Sequence, residues 1–353
     1  MSTLLLDRKA MATILEKIGP DVLIAQVVAR LEKALHYGYP GSDMLPLREG
    51  FALPESASGF TEWMPYLDCR DSSMTIKVVS YVPSNPNDTG APTILATISR
   101  FSTQDGGLKV LCDGVLPTAL RTGAASAIAS RVLASPSSRV LGIVGAGAQA
   151  VTQLHAISLA LPLTDCLVYD TAPAAMSSFA ERAAFTAVPV TIATPDELLA
   201  HSDVICTATS VAPGQGPVIS DGALLPHVHI NAIGGDYPGK TELPLSLLSR
   251  ALVCPDHAEQ ALRDGECQQL TASQLGPDLF ELSRRPDEYR SWQSTPTVFD
   301  STGLAIEDHV ALDVLLTAAD TCGVGSLLDI EARPSDPRNP YAITVDIEPL
   351  SAT

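Results

Sequence analysis

Positive charge is scarce in this chain of 353 residues: 22 Lys and Arg stand against 40 Asp and Glu, a formal net charge of −18. Lys and Arg form no run longer than Arg284-Arg285. That leaves no cationic field for a polyphosphate backbone, and nucleic acid is not an expected partner. Metal-ligand spacing is also missing. The seven histidines show no HExxH pairing, and Cys69, Cys112, Cys166, Cys206, Cys254, Cys267 and Cys322 contain no CxxC. Neither a zinc site nor a disulfide framework is signalled, so no metal is expected. An odd number of thiols, mostly within apolar stretches, reads as buried and reduced, as in a cytosolic protein. No apolar run approaches the roughly 18 residues of a membrane span, and Met1 to Lys9 lack the arrangement of a signal peptide. The expectation is a soluble, cytoplasmic protein without a membrane partner, whose acidity suits a basic amine substrate.

Apolar residues are plentiful, at 46%, and the length favours two domains over one core. The most informative segment is central: Val140-Leu-Gly-Ile-Val-Gly-Ala-Gly-Ala-Gln-Ala150, with a second apolar run, Cys166-Leu-Val-Tyr-Asp170, soon after. Isolated, such a glycine string also marks ordinary turns. Between a strand and a helix it is the pattern of a dinucleotide-binding βαβ unit. Gly145 permits the tight turn, Gly147 lets backbone approach a pyrophosphate, and Ala150 keeps helix close to sheet. The N–H groups at the start of the following helix are then available to phosphate oxygens.

Upstream, apolar positions from Ile14 to Tyr37 fall at helical spacing, broken at Gly19-Pro20, which predicts two short helices. After a loop at Tyr39-Pro-Gly41, the stretch from Arg48 to Asp113 alternates as strands do, and Gln104-Asp-Gly-Gly107 signals a hairpin. From Thr118 an alanine-rich helix runs to Ser135-Pro136. Beyond Asp170 helix and strand alternate, with strands expected at Val188–Ile192, Val204–Thr209, His229–Ile233 and Leu252–Cys254. That alternation predicts an α/β fold with a doubly wound parallel sheet. Another amphipathic helix is expected from Glu307 to Ala319, before a proline-rich tail that returns to the first domain.

Asp170, at a strand end, is placed to bind the adenosine ribose hydroxyls and to repel a 2′-phosphate, which favours NAD. A solvated strand-end Asp would look the same. Thr207-Ala-Thr-Ser210 follows another strand, on the side where a nicotinamide lies. Asp236, after Asn231-Ala-Ile-Gly-Gly235, sits at the carboxyl edge of the sheet, where it could shuttle protons at a substrate nitrogen; a turn-forming Asp among glycines reads alike. The first domain offers Arg48, Glu62, Lys77 and Arg121. Arginine and lysine together suit a carboxylate, although Lys77, mid-strand and opposite Met74, Ile76 and Val78, could equally snorkel to water.

Arg121-Thr-Gly-Ala-Ala-Ser126, Gly145-Ala-Gly-Ala-Gln149, Asn231-Ala-Ile-Gly-Gly-Asp236 and Asp300-Ser-Thr-Gly303 together resemble the ornithine cyclodeaminase/mu-crystallin family, through nearly the whole chain. Thr61-Glu-Trp-Met-Pro65, Gly265-Glu-Cys-Gln-Gln-Leu270 and Val298-Phe-Asp-Ser-Thr-Gly303 look most like its bacterial lysine cyclodeaminases. The resemblance implies a homodimer. Its expected parts are a substrate-binding and dimerisation domain of α+β type at 1–124, a central Rossmann domain at 125–319, and a C-terminal segment at 320–353 that returns to the first.

It also implies a redox-neutral reaction. Hydride passes from the substrate Cα to NAD, the side-chain amine attacks the imine carbon, ammonia departs and the cyclic imine takes the hydride back. Lysine would give L-pipecolate and ornithine L-proline. Matched motif to motif, Arg48, Lys77 and Arg121 would hold the α-carboxylate, Glu62 would face the amines and Asp236 would transfer protons. Ser301 and Thr302 would border the substrate. NAD would meet Thr122, Gly145, Ala146, Gly147, Ala148, Gln149, Asp170, Thr207, Ala208, Thr209, Ser301 and Gly303.

Phe60-Thr61 and Leu304-Ala-Ile306 depart from the lysine pattern. Since a methylene discriminates by only about 1–3 kcal/mol, ornithine stays open. The fold also hosts cyclic imino-acid reductases and amino-acid dehydrogenases, and a hormone-binding reading like mu-crystallin belongs to a third class. Asp170, with Glu62 and Asp236 retained, disfavours that third reading.

Overall fold

Two seven-stranded sheets joined through one long helix carry the architecture. The computed structural model describes residues 2–37, 44–54 and 59–343. The loop expected at Tyr39-Pro-Gly41 and residues 344–353 of the C-terminal segment lie outside them.

The chain begins with β1 (Thr3–Leu6), α1 (Arg8–Ile18) and α2 (Pro20–Tyr37). Asp7 caps α1 by accepting from the N–H groups of Lys9 and Ala10. Gly19, at φ +83°, turns the chain before Pro20 starts α2. The second helix is 18 residues long, not short as its spacing suggested, because Leu23, Ile24, Val27, Val28, Leu31 and Leu35 keep one buried stripe along its length. Then follow β2 (Glu49–Ala52), β3 (Phe60–Asp68), β4 (Ser73–Tyr81), α3 (Asn85–Asp88), β5 (Ile94–Ser102) and β6 (Leu108–Asp113). In β4 the residues Ser73, Thr75, Lys77 and Val79 face inward and Val78 outward, so the period-2 signal was real.

The joining helix, α4 (Val115–Leu133), is buried along most of its length. It leads to β7 (Val140–Val144), α5 (Ala148–Ala160), β8 (Asp165–Tyr169), α6 (Pro173–Arg182), β9 (Val190–Ile192), α7 (Pro195–His201), β10 (Val204–Thr207), β11 (His229–Ala232), α8 (Leu245–Leu248), β12 (Leu252–Pro255) and α9 (Ala258–Asp264). After α10 (Leu279–Arg284) and α11 (Pro286–Tyr289) come β13 (Thr297–Asp300), α12 (Ala305–Cys322) and β14 (Ser326–Leu328). Small residues let α4 and α5 approach closely: a Cβ on Gly123 would stand 2.7 Å from the Thr152 carbonyl oxygen.

The second sheet runs β12-β13-β11-β10-β7-β8-β9, every pair parallel. Its strand β13 lies between β11 and β12. Sequence reading took Val298 to Gly303 as a pocket motif and did not see a strand there. Four buried residues carry no alternation, so periodicity had nothing to detect. The first sheet runs β14-β1-β6-β5-β4-β3-β2, with β14 antiparallel to β1. Helix α12 packs in the same core as α2, α4 and β4. The divisions expected at 124/125 and 319/320 therefore fall inside α4 and α12. Among the described residues no helix is long and apolar enough to cross a membrane.

Candidate active site

The parallel sheet sets its loops at one edge. Gly145 ends β7 with φ +99°, and a Cβ there would lie 2.6 Å from the Ala208 carbonyl oxygen, so a side chain is excluded. Gly147 borders open space, and as the N-cap of α5 it leaves the first N–H groups of that helix without a side-chain partner. A phosphate can therefore meet Ala148 and Gln149 along the helix axis. Asp170 stands beside this turn: its Oδ2 accepts from Ala146 N at 2.6 Å and its Oδ1 from Ala172 N at 2.7 Å. Each oxygen keeps a second lone pair for a ribose hydroxyl. Arg182, missed in the sequence, braces the turn by donating to the Ala146 carbonyl at 2.7 Å. A cavity of about 220 Å³ lined by Val144, Tyr169, Pro195, Leu199 and Ile219 opens next to it and suits a flat apolar ring.

Across the edge, Thr209 donates through N–H and hydroxyl to Glu242 Oε1, each at 2.7 Å, and Gly234 N donates to Glu242 Oε2 at 2.8 Å. One buried carboxylate thus ties the ends of β10 and β11 together, and burial raises its pKa. Thr207 and Ala208 are held in the same corner. Thr122 is turned into its own helix, its hydroxyl donating to the Thr118 carbonyl at 2.8 Å. The Ser301 hydroxyl is buried without a partner, a polar atom aimed at something the chain does not supply. These features fit a dinucleotide lying over Gly145 to Gln149.

The inner face of the first sheet closes over this edge. Glu62 on β3 is buried; Arg48 Nη1 lies 3.6 Å from its Oε2. Burial raises the Glu62 carboxyl to about 7, Arg48 opposes the rise, and the Asp236 and Asp264 carboxylates add to it. Asp236 follows β11, its Oδ1 2.8 Å from Lys240 Nζ. That lysine is itself buried and sits 4.6 Å from the ring centroid of Tyr81. Phe60 stacks between Tyr81 and Tyr237, with centroids 5.0 and 4.7 Å away.

None of the three expected carboxylate-binding cations is a surface charge. Arg48 donates to Asp264 Oδ2 at 3.3 Å, to the Thr302 carbonyl at 2.8 Å, and to the Asp236 carbonyl. Lys77 is 0% exposed; the snorkelling alternative is ruled out, because its face of β4 is covered by α12. Lys77 Nζ donates to Asp308 Oδ1 at 2.9 Å. Arg121 Nη1 donates to Glu307 Oε2 at 2.8 Å. Gly303, at φ +89°, makes room for that guanidinium, which a Cβ would overlap. Thr302 Oγ1 donates to Asp256 Oδ1 at 2.9 Å and Gly303 N to Asp256 Oδ2 at 2.6 Å.

The carboxyls Asp256, Asp264, Glu307 and Asp308 were not singled out from sequence. Their signal was present only as acids in apolar surroundings, Glu307-Asp308 above all, which should be rare unless paired. Burial pushes Glu307 up to about 7, with Arg121 opposing. For Arg121 burial works against the charge, but Asp308 and Glu307 outweigh it and hold its pKa above the ordinary value.

Comparison with known proteins adds four findings. Residues 8–321 match the profile of the Ornithine cyclodeaminase/mu-crystallin family. The chain is 41% identical to an L-lysine cyclodeaminase of Streptomyces rapamycinicus over 97% of its own length and 100% of that protein. Its fold superposes with a TM-score of 0.94 on a lysine cyclodeaminase solved for its recognition of L-lysine, L-ornithine and L-2,4-diamino butyric acid, at 51% identity over 98% of this chain and 100% of that one. An archaeal alanine dehydrogenase dimer with bound NAD superposes at 0.82, with 28% identity over 94% of this chain and 100% of that one.

Proposed function

Because this chain belongs to the ornithine cyclodeaminase/mu-crystallin family, we propose that it converts L-lysine to L-pipecolate and ammonia, using NAD without net redox change. The observation that carries this reading is that two carboxyls, buried Glu62 and half-buried Asp236, lie near one another beside the cations Arg48 and Lys77, with Arg121 next to Lys77. A diamino acid brings two amines for the first set and one carboxylate for the second. Around the site, Glu62, Asp236, Asp256, Asp264, Glu307 and Asp308 stand against Arg48, Lys77, Arg121, Lys240 and Arg263, the last paired with Asp264, so that the two sets nearly balance.

NAD bound over Gly145 to Gln149 supplies a reversible two-electron oxidant at the substrate Cα. The chain's own residues do the rest. Lys77 and Arg121 fix the carboxylate, with Arg48 closing the third side. Glu62, titrating near 7, takes a proton from an ammonium at neutral pH and returns it. Asp236, held by Lys240, moves the proton that lets the substrate nitrogen act as donor of electrons and later leave as ammonia. Holding the far amine against Glu62 brings it to the α-carbon, where proximity supplies much of the rate of ring closure. Phe60, Tyr81 and Tyr237 form an apolar wall beside Asp236 that keeps water from the imine.

The same reading assigns Ser301 and Gly303 to the cofactor, Thr302 to the substrate side, and Thr122, Ala146, Thr207, Ala208 and Thr209 to the nicotinamide and pyrophosphate. It divides the chain into a substrate domain built on the first sheet, to which α12 and β14 contribute, and a Rossmann domain. It includes a homodimer formed through the outer face of the first sheet, where Phe51, Trp63, Val78 and Leu95 are 59%, 38%, 44% and 45% exposed. The cytoplasm is the proposed compartment, consistent with seven cysteines of which none forms a disulfide.

Incubation of purified protein with L-lysine and a trace of NAD tests the proposal. Equal ammonia and pipecolate without accumulation of NADH is the expected outcome, with slower turnover of L-ornithine. NADH rising in step with substrate loss would make the protein a dehydrogenase instead.

A further inference from the structure

Helix α12 opens with two adjacent acids, Glu307 and Asp308, and each holds one of the cations assigned to the substrate's carboxylate. Lys77 Nζ lies 2.9 Å from Asp308 Oδ1 and 2.8 Å from Oδ2. Arg121 Nη1 lies 2.8 Å from Glu307 Oε2, and its Nε 3.4 Å from Asp308 Oδ1. We infer that Asp308 is a positioning residue for the carboxylate subsite, fixing Lys77 beside Arg121 and keeping its ammonium charged until substrate arrives. The inference rests on the reading above that Lys77 and Arg121 receive the α-carboxylate.

The physical case is one of like charges packed together. Lys77 comes from β4 and Arg121 from α4, and both side chains are nearly removed from solvent. The charged groups that face Lys77 are Arg121 from α4, Asp308 and Glu307 from α12, and Glu62 from β3. Burial lowers the Lys77 pKa to about 8, Arg121 adds to the fall, and Asp308 is the strongest influence in the other direction. A lysine that loses its proton cannot hold a carboxylate by charge. Without Asp308 the same ammonium would face a guanidinium with its nearest counter-charge gone. Glu307 makes no ion pair with Lys77: its Oε1 is buried without a hydrogen-bond partner, and its Oε2 serves Arg121 at 2.8 Å and the N–H of Leu304 at 3.3 Å. That last bond locks the acid pair to the first turn of α12, and α12 packs against α2, α4 and β4. The subsite is thus held by a rigid element and not by a loop.

The test uses NAD-loaded wild type, Asp308→Asn, Asp308→Glu, Lys77→Met and the double variant Asp308→Asn/Lys77→Met. The measurements are kcat and KM for L-lysine across pH, with thermal melting and NAD titration as checks of folding. For Asp308→Asn, KM rises about tenfold or more at pH 8, kcat changes by less than about threefold, and the alkaline limb of kcat/KM moves down by about one unit. Asp308→Glu restores the limb. On a Lys77→Met background Asp308→Asn costs much less than on wild type, because its closest partner is that lysine and only its 3.4 Å contact with Arg121 Nε remains. A folded, NAD-binding Asp308→Asn with the wild-type limb and KM would overturn the inference, as would an equal cost on both backgrounds.

Should Asp308→Asn not fold, Asp308→Glu decides: raised KM with a wild-type limb supports the role, and unchanged KM sinks it. If the wild type makes no pipecolate, the proposed function fails separately. Calorimetric binding of L-lysine to NAD-loaded wild type and variant then settles the positioning role, since equal or absent binding contradicts it and about tenfold weaker binding supports it.

Discussion

Asp236 is anchored on both its polar ends: its carbonyl accepts from Arg48 Nη2, and its Oδ1 meets the buried Lys240 at 2.8 Å. An amide at this position keeps much of the shape and loses the proton-accepting charge. Asp236→Asn is therefore expected to bind NAD as the wild type does and to lose about 10²-fold or more in pipecolate formation. Full activity in the variant, measured as ammonia release, would remove Asp236 from the chemistry. Its placement was readable because glycines end a strand just before it, and strand ends of open α/β sheets are where ligands bind. The acids opposite the cations were not readable in that way. Asp308 reaches Lys77 across 231 residues of chain and Glu307 reaches Arg121 across 186. Sequence spacing marks neither pairing. Only the fold tells a buried, paired acid from a solvated one, and losing one partner of such a pair costs about 3–5 kcal/mol.

At the scale of elements, strands showed themselves in two ways, by alternation in the first sheet and by short apolar runs such as β10 and β11, which are buried at every position. β3 and β4 alternate over nine residues each, and their outer face is where Trp63 and Val78 stand paired in register. An apolar face of that size invites a second copy of the chain. If the proposed homodimer forms through this face, replacing Val78 with Asp shifts it to monomer in sedimentation, with the melting temperature lowered; a dimer of unchanged affinity would place the interface elsewhere. β1, β13 and β14 escaped sequence reading for a different reason. They have four, four and three residues, and each is specified by long-range pairing, β14 with β1 and β13 between β11 and β12. The amphipathic signal of α12 marked a helix but not its partners. Both faces of α12 carry buried residues, so it could not be assigned to one layer by pattern alone.

For the molecule as a whole, the two sheets face one another across the site. The parallel sheet contributes the turn at Gly145, Asp236 and Ser301, and the mixed sheet, in which β1 runs parallel to β6, contributes Glu62 and Lys77, with α4 and α12 packed beside them. An acidic chain with a cluster of buried cations can hold a carboxylate where its surface would repel one. In the proposed reaction the reactive imine, the amine that attacks it and the cofactor stay together at this site, and the electrons never leave it. The most direct measurement is turnover of L-lysine carrying deuterium at Cα in the presence of excess unlabelled NADH, with mass spectrometry of the product. A redox-neutral cycle on one bound cofactor predicts pipecolate with deuterium retained in full at C2. Pipecolate carrying protium there would contradict it, because the hydride would then have exchanged with the solution pool between the two halves of the reaction.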